Sequence, residues 1–227
     1  MTPDAAIAAL KAAGHPQKAV EMAAYHKVPR TYLGVANPVI DAFARDWRKA
    51  SGEDAPLPLA RALWQSDIHE ARVAAAKLVD RGRIRPGDGP AWRIIAGWVP
   101  DFDAWAIADH AAIAGQKRLL ADPTRLNEVE TWTKSPHLWT RRAAMVMTLP
   151  WARIKDPDAD QRAIRTRILG WAAAYLSDPE WFIQKAVAWW LRDLSKRDPS
   201  ETRAFLDAHA SRMAPFARRE AGKYLGT

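Results

Sequence analysis

A chain of 227 residues is long enough to bury a sizeable core, as one large domain or two small ones. The absence of cysteine removes disulfides, thiolate zinc sites, Cys-ligated iron–sulfur clusters and a cysteine nucleophile. Thirty-four Lys and Arg against 26 Asp and Glu leave a formal charge of +8, which favours a polyanionic partner, nucleic acid first.

Nearly every segment reads as helix. Alanine is abundant, β-branched alternation is scarce, and apolar residues recur at three- and four-residue spacings. Thr2-Pro3 supplies an N-cap and a first-turn proline ahead of an Ala-rich stretch ending at Gly14. Asn37-Pro38 repeats that signal before Val39, Ile40, Ala42, Phe43 and Trp47. Gly/Pro loops are expected at Ser51–Pro58 and Arg85–Pro90, and Asp122-Pro123, Asp178-Pro179 and Asp198-Pro199 each open a further helix. The helices between them run about 10 to 20 residues. No Gly/Ser-rich linker or charge block divides the chain, so residues 1–227 read as a single all-α domain.

Three helices look like variants of one unit. Each follows a turn: Ser66-Asp67, Ser135-Pro136 and Ser177-Asp178-Pro179. A basic residue then precedes small or β-branched ones: Arg72-Val73-Ala74, Arg142-Ala143-Ala144 and Lys185-Ala186-Val187. Arg219-Glu220-Ala221 reads as a truncated fourth copy. Such a pattern suits a HEAT-like α-solenoid of stacked antiparallel helix pairs, in which inward basic residues make the concave face positive. A compact bundle with charges scattered over solvated faces is the alternative.

Common enzymatic signatures are missing. There is no GxGxxG, Walker A, GxSxG or HExxH, and His69-Glu70 has Val73 where a second His would stand. Arg81, Arg83 and Arg85, before the Gly87-Asp88-Gly89-Pro90 turn, read as solvated. The six histidines form no ligand-spaced cluster, so metal, nucleotide and flavin chemistry are not expected. No strictly apolar run exceeds six residues, as in Trp171–Leu176 and Ala186–Leu191, so no membrane span is expected. Met1-Thr2-Pro3-Asp4 carries no basic start of a secretory signal, and a soluble cytoplasmic protein is the expectation.

Tryptophan is the unusual residue, with twelve copies against four Tyr and five Phe. Core packing explains most single Trp residues, but several stand beside charges at helical spacing. Trp105 and Asp109 are four apart, Trp139 and Arg142 three apart, and Lys185, Trp189 and Arg192 form a stripe. Cations beside an aromatic ring can hold a sugar-phosphate backbone. A carboxylate there repels phosphate, yet it stabilises positive charge developing on a ligand.

These residues resemble the AlkD-like family of DNA alkylation-repair glycosylases, which are HEAT-like helical proteins. The similarity is carried by Tyr32-Leu33-Gly34-Val35 with Pro38, Leu63-Trp64 with His69-Glu70-Ala71-Arg72, and Trp105-x3-Asp109. It continues through Trp139-Thr140-Arg141-Arg142, the stretch Phe182–Trp189 with Leu191-Arg192, and Arg219-Glu220-Ala221. The resemblance implies an active site of two tryptophans, one aspartate and one arginine, which fall on Trp105, Trp189, Asp109 and Arg142. Trp98 and Asp103 are an alternative first pair, but they are five apart and would sit on different helix faces. The DNA-binding residues implied are Arg142, Lys185, Arg72, Arg192 and Arg219.

By the same resemblance the substrate is double-stranded DNA with positively charged N3- or N7-alkylated purines. The reaction is hydrolysis of the N-glycosidic bond without a base-flipping pocket, a metal or a cofactor. The implied enzyme is a monomer in the bacterial cytoplasm, at the nucleoid during repair, with no membrane partner. A non-catalytic DNA-structure-binding relative and a protein-binding helical scaffold are the rivals.

Overall fold

The computed structural model describes residues 1–50, 56–82 and 87–226. Among them the chain is all-α, as expected, with no strand; a lone parallel bridge joins Thr31 and Ile68. It falls into two compact units, Met1–Asp122 and Pro123–Thr227.

The first unit holds α1 (Pro3–Ala12), α2 (Pro16–His26), α3 (Asn37–Ala50), α4 (Pro56–Gln65), α5 (His69–Val79), α6 (Asp88–Trp98) and α7 (Trp105–Ala121). Its core gathers on α5, which packs against α3, α4 and α7. Ala71, Ala74, Ala75 and Ala76 let three neighbours approach closely, while Val73, Leu78 and Val79 fill the seams. Such an element is buried nearly all round and loses the one-sided polarity of a surface helix.

The second unit holds α8 (Leu126–Trp132), α9 (Leu138–Met147), α10 (Leu149–Arg153), α11 (Ala159–Ala174), α12 (Trp181–Ser195), α13 (Pro199–His209) and α14 (Pro215–Ala221). Its centre is α12, which packs against α9, α10, α13 and α14. Ile183, Val187, Trp190, Leu191 and Leu194 of α12 are buried. Seven tryptophans are core residues: Trp47, Trp64, Trp92, Trp98, Trp151, Trp171 and Trp190. That leaves Trp105, Trp132, Trp139, Trp181 and Trp189 at least partly exposed.

Most helix starts follow the proline signals. The Thr2 hydroxyl accepts from the Ala5 N–H at 3.3 Å, and the Asp198 carboxylate accepts from the Glu201 N–H at 3.0 Å. Two expected starts are displaced. Asp122-Pro123 opens a 3-10 turn, Pro123–Arg125, and α8 begins only afterwards. Asp178-Pro179 precedes α12 without starting it, because Asp178 accepts from the Glu180 N–H at 2.9 Å and from Arg141 Nε at 2.8 Å.

The two expected loops are shorter than their Gly and Pro content implies. Residues 51–55 lie outside the described residues, but Pro56-Leu57-Pro58 already belongs to α4. Arg83, Arg85 and Pro86 also lie outside them, and Asp88-Gly89-Pro90 forms the first turn of α6. First-turn N–H groups have no partner inside a helix, so proline costs nothing there. Helices α8, α10 and α14, of 7, 5 and 7 residues, fall below the expected length range.

Candidate nucleic-acid interface

In the first unit, Trp105 is the first residue of α7 and Asp109 lies one turn on. Asp109 is buried to 9 % exposure, whereas Trp105 is half-buried. Rings from other elements surround the indole: His26 at 5.7 Å and Tyr25 edge-on at 6.0 Å between centroids. His26 stacks in turn on His69 at 4.6 Å, and His69 on Tyr32 at 5.1 Å. Burial, reinforced by the nearby His26, Arg30 and His110, pushes His69 down to about 3, and burial also lowers His26. Both imidazoles are therefore neutral near pH 7 and stack without repulsion. None of these neighbours was legible around Trp105, because they come from α2, α5 and the segment between α2 and α3.

Glu70 fixes that intervening segment. Its fully buried carboxylate accepts backbone N–H bonds from Leu33 at 3.0 Å, Gly34 at 2.7 Å and Val35 at 3.3 Å. Gly34 sits at φ +78°, and a Cβ there would lie 2.2 Å from the His15 carbonyl oxygen, so only glycine fits. The Tyr32–Val35 motif and His69-Glu70 are thus one structural device. Nearby, Arg30 pairs with Asp103 and with Asp67 at 3.3 Å. The alternative pair is structurally committed: Asp103 to Arg30, and buried Trp98 to a stack on Trp64 at 4.2 Å.

In the second unit, Arg142 on α9 is buried at 4 % exposure, and its Nη1 donates to the Phe182 carbonyl at 2.7 Å. Its guanidinium also lies 5.7 Å from the centre of the Phe182 ring. Trp189 stands two turns along α12 from Phe182, on the same face, and is half-buried. Its neighbour Trp190 is fully buried and donates from Nε1 to the Thr148 carbonyl at 3.2 Å.

The repeated unit exists, with a different register from the expected one. Arg72 Nε donates to the carbonyls of Trp64 and Ser66 at 3.1 and 3.3 Å. Arg141 Nη1 donates likewise to Ser135 and Pro136 at 2.9 and 3.0 Å. Gln184 Nε2 donates to Tyr175 and Asp178 at 2.9 and 2.8 Å. Each donor lies six residues after a turn carbonyl and satisfies acceptors left open where the preceding helix stops. Arg72 therefore corresponds to Arg141 and Gln184, not to Arg142 and Lys185. The next position carries Val73, Arg142 and Lys185.

The remaining implied contacts divide by environment. Lys185 is exposed, with its ammonium 4.5 Å from the centre of the half-exposed Trp181 ring. Trp181 lies 5.8 Å from Phe216, and together they form an aromatic patch that spacing alone did not single out. Arg192 pairs with Glu220 of α14, and Arg219 is exposed on the same short helix. Among the described residues no group of His, Asp and Glu converges as a metal site, and no helix is long and apolar enough to cross a membrane.

A family model described as DNA alkylation repair enzyme matches residues 6–225. No curated protein matches the chain. Among solved structures, a predicted DNA alkylation repair enzyme from Enterococcus faecalis superposes with a TM-score of 0.77 at 22% identity, over 94% of this chain and 97% of that one. AlkD2 from Streptococcus mutans superposes with a TM-score of 0.63 at 21% identity, over 85% and 91% of the two chains. At these identities the structures share a fold, and the helical-repeat expectation is met.

Proposed function

The chain belongs to the DNA alkylation repair enzyme family, and from that membership we propose that it is a DNA glycosylase. Its substrates are N3- and N7-alkylated purines, such as 3-methyladenine and 7-methylguanine, in duplex DNA. The observation that carries this proposal is the pairing on α7 of a partly exposed indole, Trp105, with a carboxylate one turn away, Asp109.

Alkylation at N3 or N7 gives the purine a positive charge and weakens its bond to deoxyribose. As that bond breaks, its electron pair leaves with the base, which departs neutral, and C1′ takes on oxocarbenium character. Asp109, as an anion, stabilises the charge at C1′ and orients the water whose oxygen bonds to it. The water's proton passes to solvent. A preorganised electrostatic group of this kind is worth a factor of about 10² to 10³ in rate.

In the first unit Trp105, beside Asp109, offers a ring face to the cationic sugar; in the second, Trp189 offers a ring face to the DNA, and Arg142, with Lys185, holds phosphate. Neither a metal nor a cofactor is needed, because the leaving group brings its own activation. Neutral lesions are correspondingly poor substrates. A single chain acting on DNA in the cytoplasm suffices for this chemistry.

The decisive experiment is release of labelled 7-methylguanine from methylated duplex DNA. Release by the wild type and its loss in Asp109→Asn support the glycosylase. Tight DNA binding with no release from either protein favours a binding-only relative.

A further inference from the structure

Beside Trp189, at the C-terminal end of α12, lies a cavity of about 290 Å³ lined by Arg153, Arg192, Asp193, Lys196 and Arg197 as well as by Trp189 itself. Four cations meet there around one carboxylate. Asp193 is only 7 % exposed at its side chain and gathers three of them: Arg153 at 2.8 Å, Lys196 at 3.5 Å and Arg192 at 3.8 Å. Arg153 and Lys196 nevertheless keep 45 % and 43 % of their side chains in solvent, so their charge remains available outward. Arg192 is shared with Glu220. The cavity thus has more positive charge than Asp193, with Glu220 beyond its lining, cancels.

We propose that this cavity is a backbone-phosphate site for duplex DNA and that Asp193 is its positioning residue. Resting on the DNA reading above, it extends that reading from Arg192, which the resemblance already implied, to Asp193, Arg153, Lys196 and Arg197, which neither the resemblance nor the repeat pattern singles out. Free Lys and Arg side chains lose conformational entropy when they grip a phosphate. Asp193 holds three of them beforehand in one cluster, so less remains to be ordered on binding. The cluster also ties α10, through Arg153, to the helix that carries Trp189. A phosphate held there fixes the backbone next to the indole.

The sign of one substitution separates positioning from plain electrostatics. A rim carboxylate that merely repels DNA gives tighter binding when neutralised. A positioning carboxylate gives weaker binding, because its cations disperse. The test is binding of a short undamaged duplex, followed by fluorescence anisotropy across a salt series, for the wild type, Asp193→Asn, Arg153→Met and Lys196→Met.

The expected result is weaker binding by Asp193→Asn, with log affinity against log salt shallower by at least about 0.9, one phosphate contact. Arg153→Met and Lys196→Met should each flatten the slope by about that amount, and Asp193→Asn should add little in the double Met background. A fold defect alone does not produce that loss of additivity. A steep wild-type slope that Asp193→Asn leaves unchanged, or tighter binding by that variant, overturns the phosphate site alone. A wild-type slope near zero overturns the DNA reading itself. If Asp193→Asn does not fold, the two exposed Met variants decide: unchanged slopes in both overturn the site.

Discussion

Trp189 and Trp190 are consecutive on α12, yet Trp190 is fully buried with its N–H on the Thr148 carbonyl, while Trp189 keeps part of its ring in solvent. Successive helical residues point about 100° apart, so one indole can serve the core and the next a ligand. Trp190→Ala should cost about 3–5 kcal/mol of stability, as large buried aromatics do. Trp189→Ala should cost about 1 kcal/mol and abolish excision of 7-methylguanine. Chemical denaturation and single-turnover release on the same pair of variants check both statements.

The two carboxylates near the start of α7 should separate cleanly. Asp109→Asn should slow excision by about 10² to 10³ while leaving DNA affinity equal or slightly tighter. Asp103 is held by Arg30, and Asp103→Asn should change stability by at most about 1 kcal/mol and leave the chemical step alone. Excision by Asp109→Asn at the wild-type rate would falsify the charge-stabilisation mechanism.

Arg72 and Lys185, both expected on sequence grounds to meet DNA, should behave differently. Arg72 serves the carbonyls that end α4, so Arg72→Met should cost about 1–3 kcal/mol and leave the salt dependence of DNA binding unchanged. Lys185→Met should change stability by less than about 0.5 kcal/mol and flatten the salt slope by about 0.9. A lower slope with Arg72→Met would return that residue to the DNA surface.

Two histidines, buried His69 and half-buried His110, predict a specific acid sensitivity. His69 and His110 are pushed down from 6.5 to about 3 and about 4, mainly by burial. Their unfolded forms take up protons first, so the stability from burying them neutral is complete above pH 6.5. It is lost as pH falls from 6.5 towards those lowered values, by up to about 1.4 kcal/mol per pH unit for each histidine. Melting temperatures measured from pH 7 to pH 5 should fall, and His69→Gln should flatten the decline. The same decline in that variant would place the sensitivity elsewhere.

Helix starts were legible at Thr2-Pro3, Asn37-Pro38 and Asp198-Pro199, because that signal is local, but not at Asp122-Pro123 or Asp178-Pro179, where a 3-10 turn or side-chain bonds to neighbouring groups intervene. The pair Trp105 and Asp109 was legible for the same reason: helical spacing alone puts both on one helix. The repeat register was not. Its defining position holds Arg72, Arg141 and then Gln184, and what unites them is donation to carbonyls of the preceding turn rather than charge. Nor could spacing reveal that Tyr25, His26 and His69 gather with Trp105, since three separate elements supply those rings. Glu70 was visible as half of a failed metal motif and as one residue of the family resemblance, with no role of its own. Its partners are backbone N–H groups, which leave no trace in side-chain identity.

Helix α2 has no buried residue, and is fastened where it begins by the His15 N–H on the Leu33 carbonyl and where it ends by the rings of Tyr25 and His26. An element so attached can open locally at a free energy far below that of global unfolding. Its amides should then exchange with deuterium long before those of α5 or α12. Heating would strip Trp105 of two ring neighbours while the two cores still hold, so loss of competence and loss of structure would occur at different temperatures.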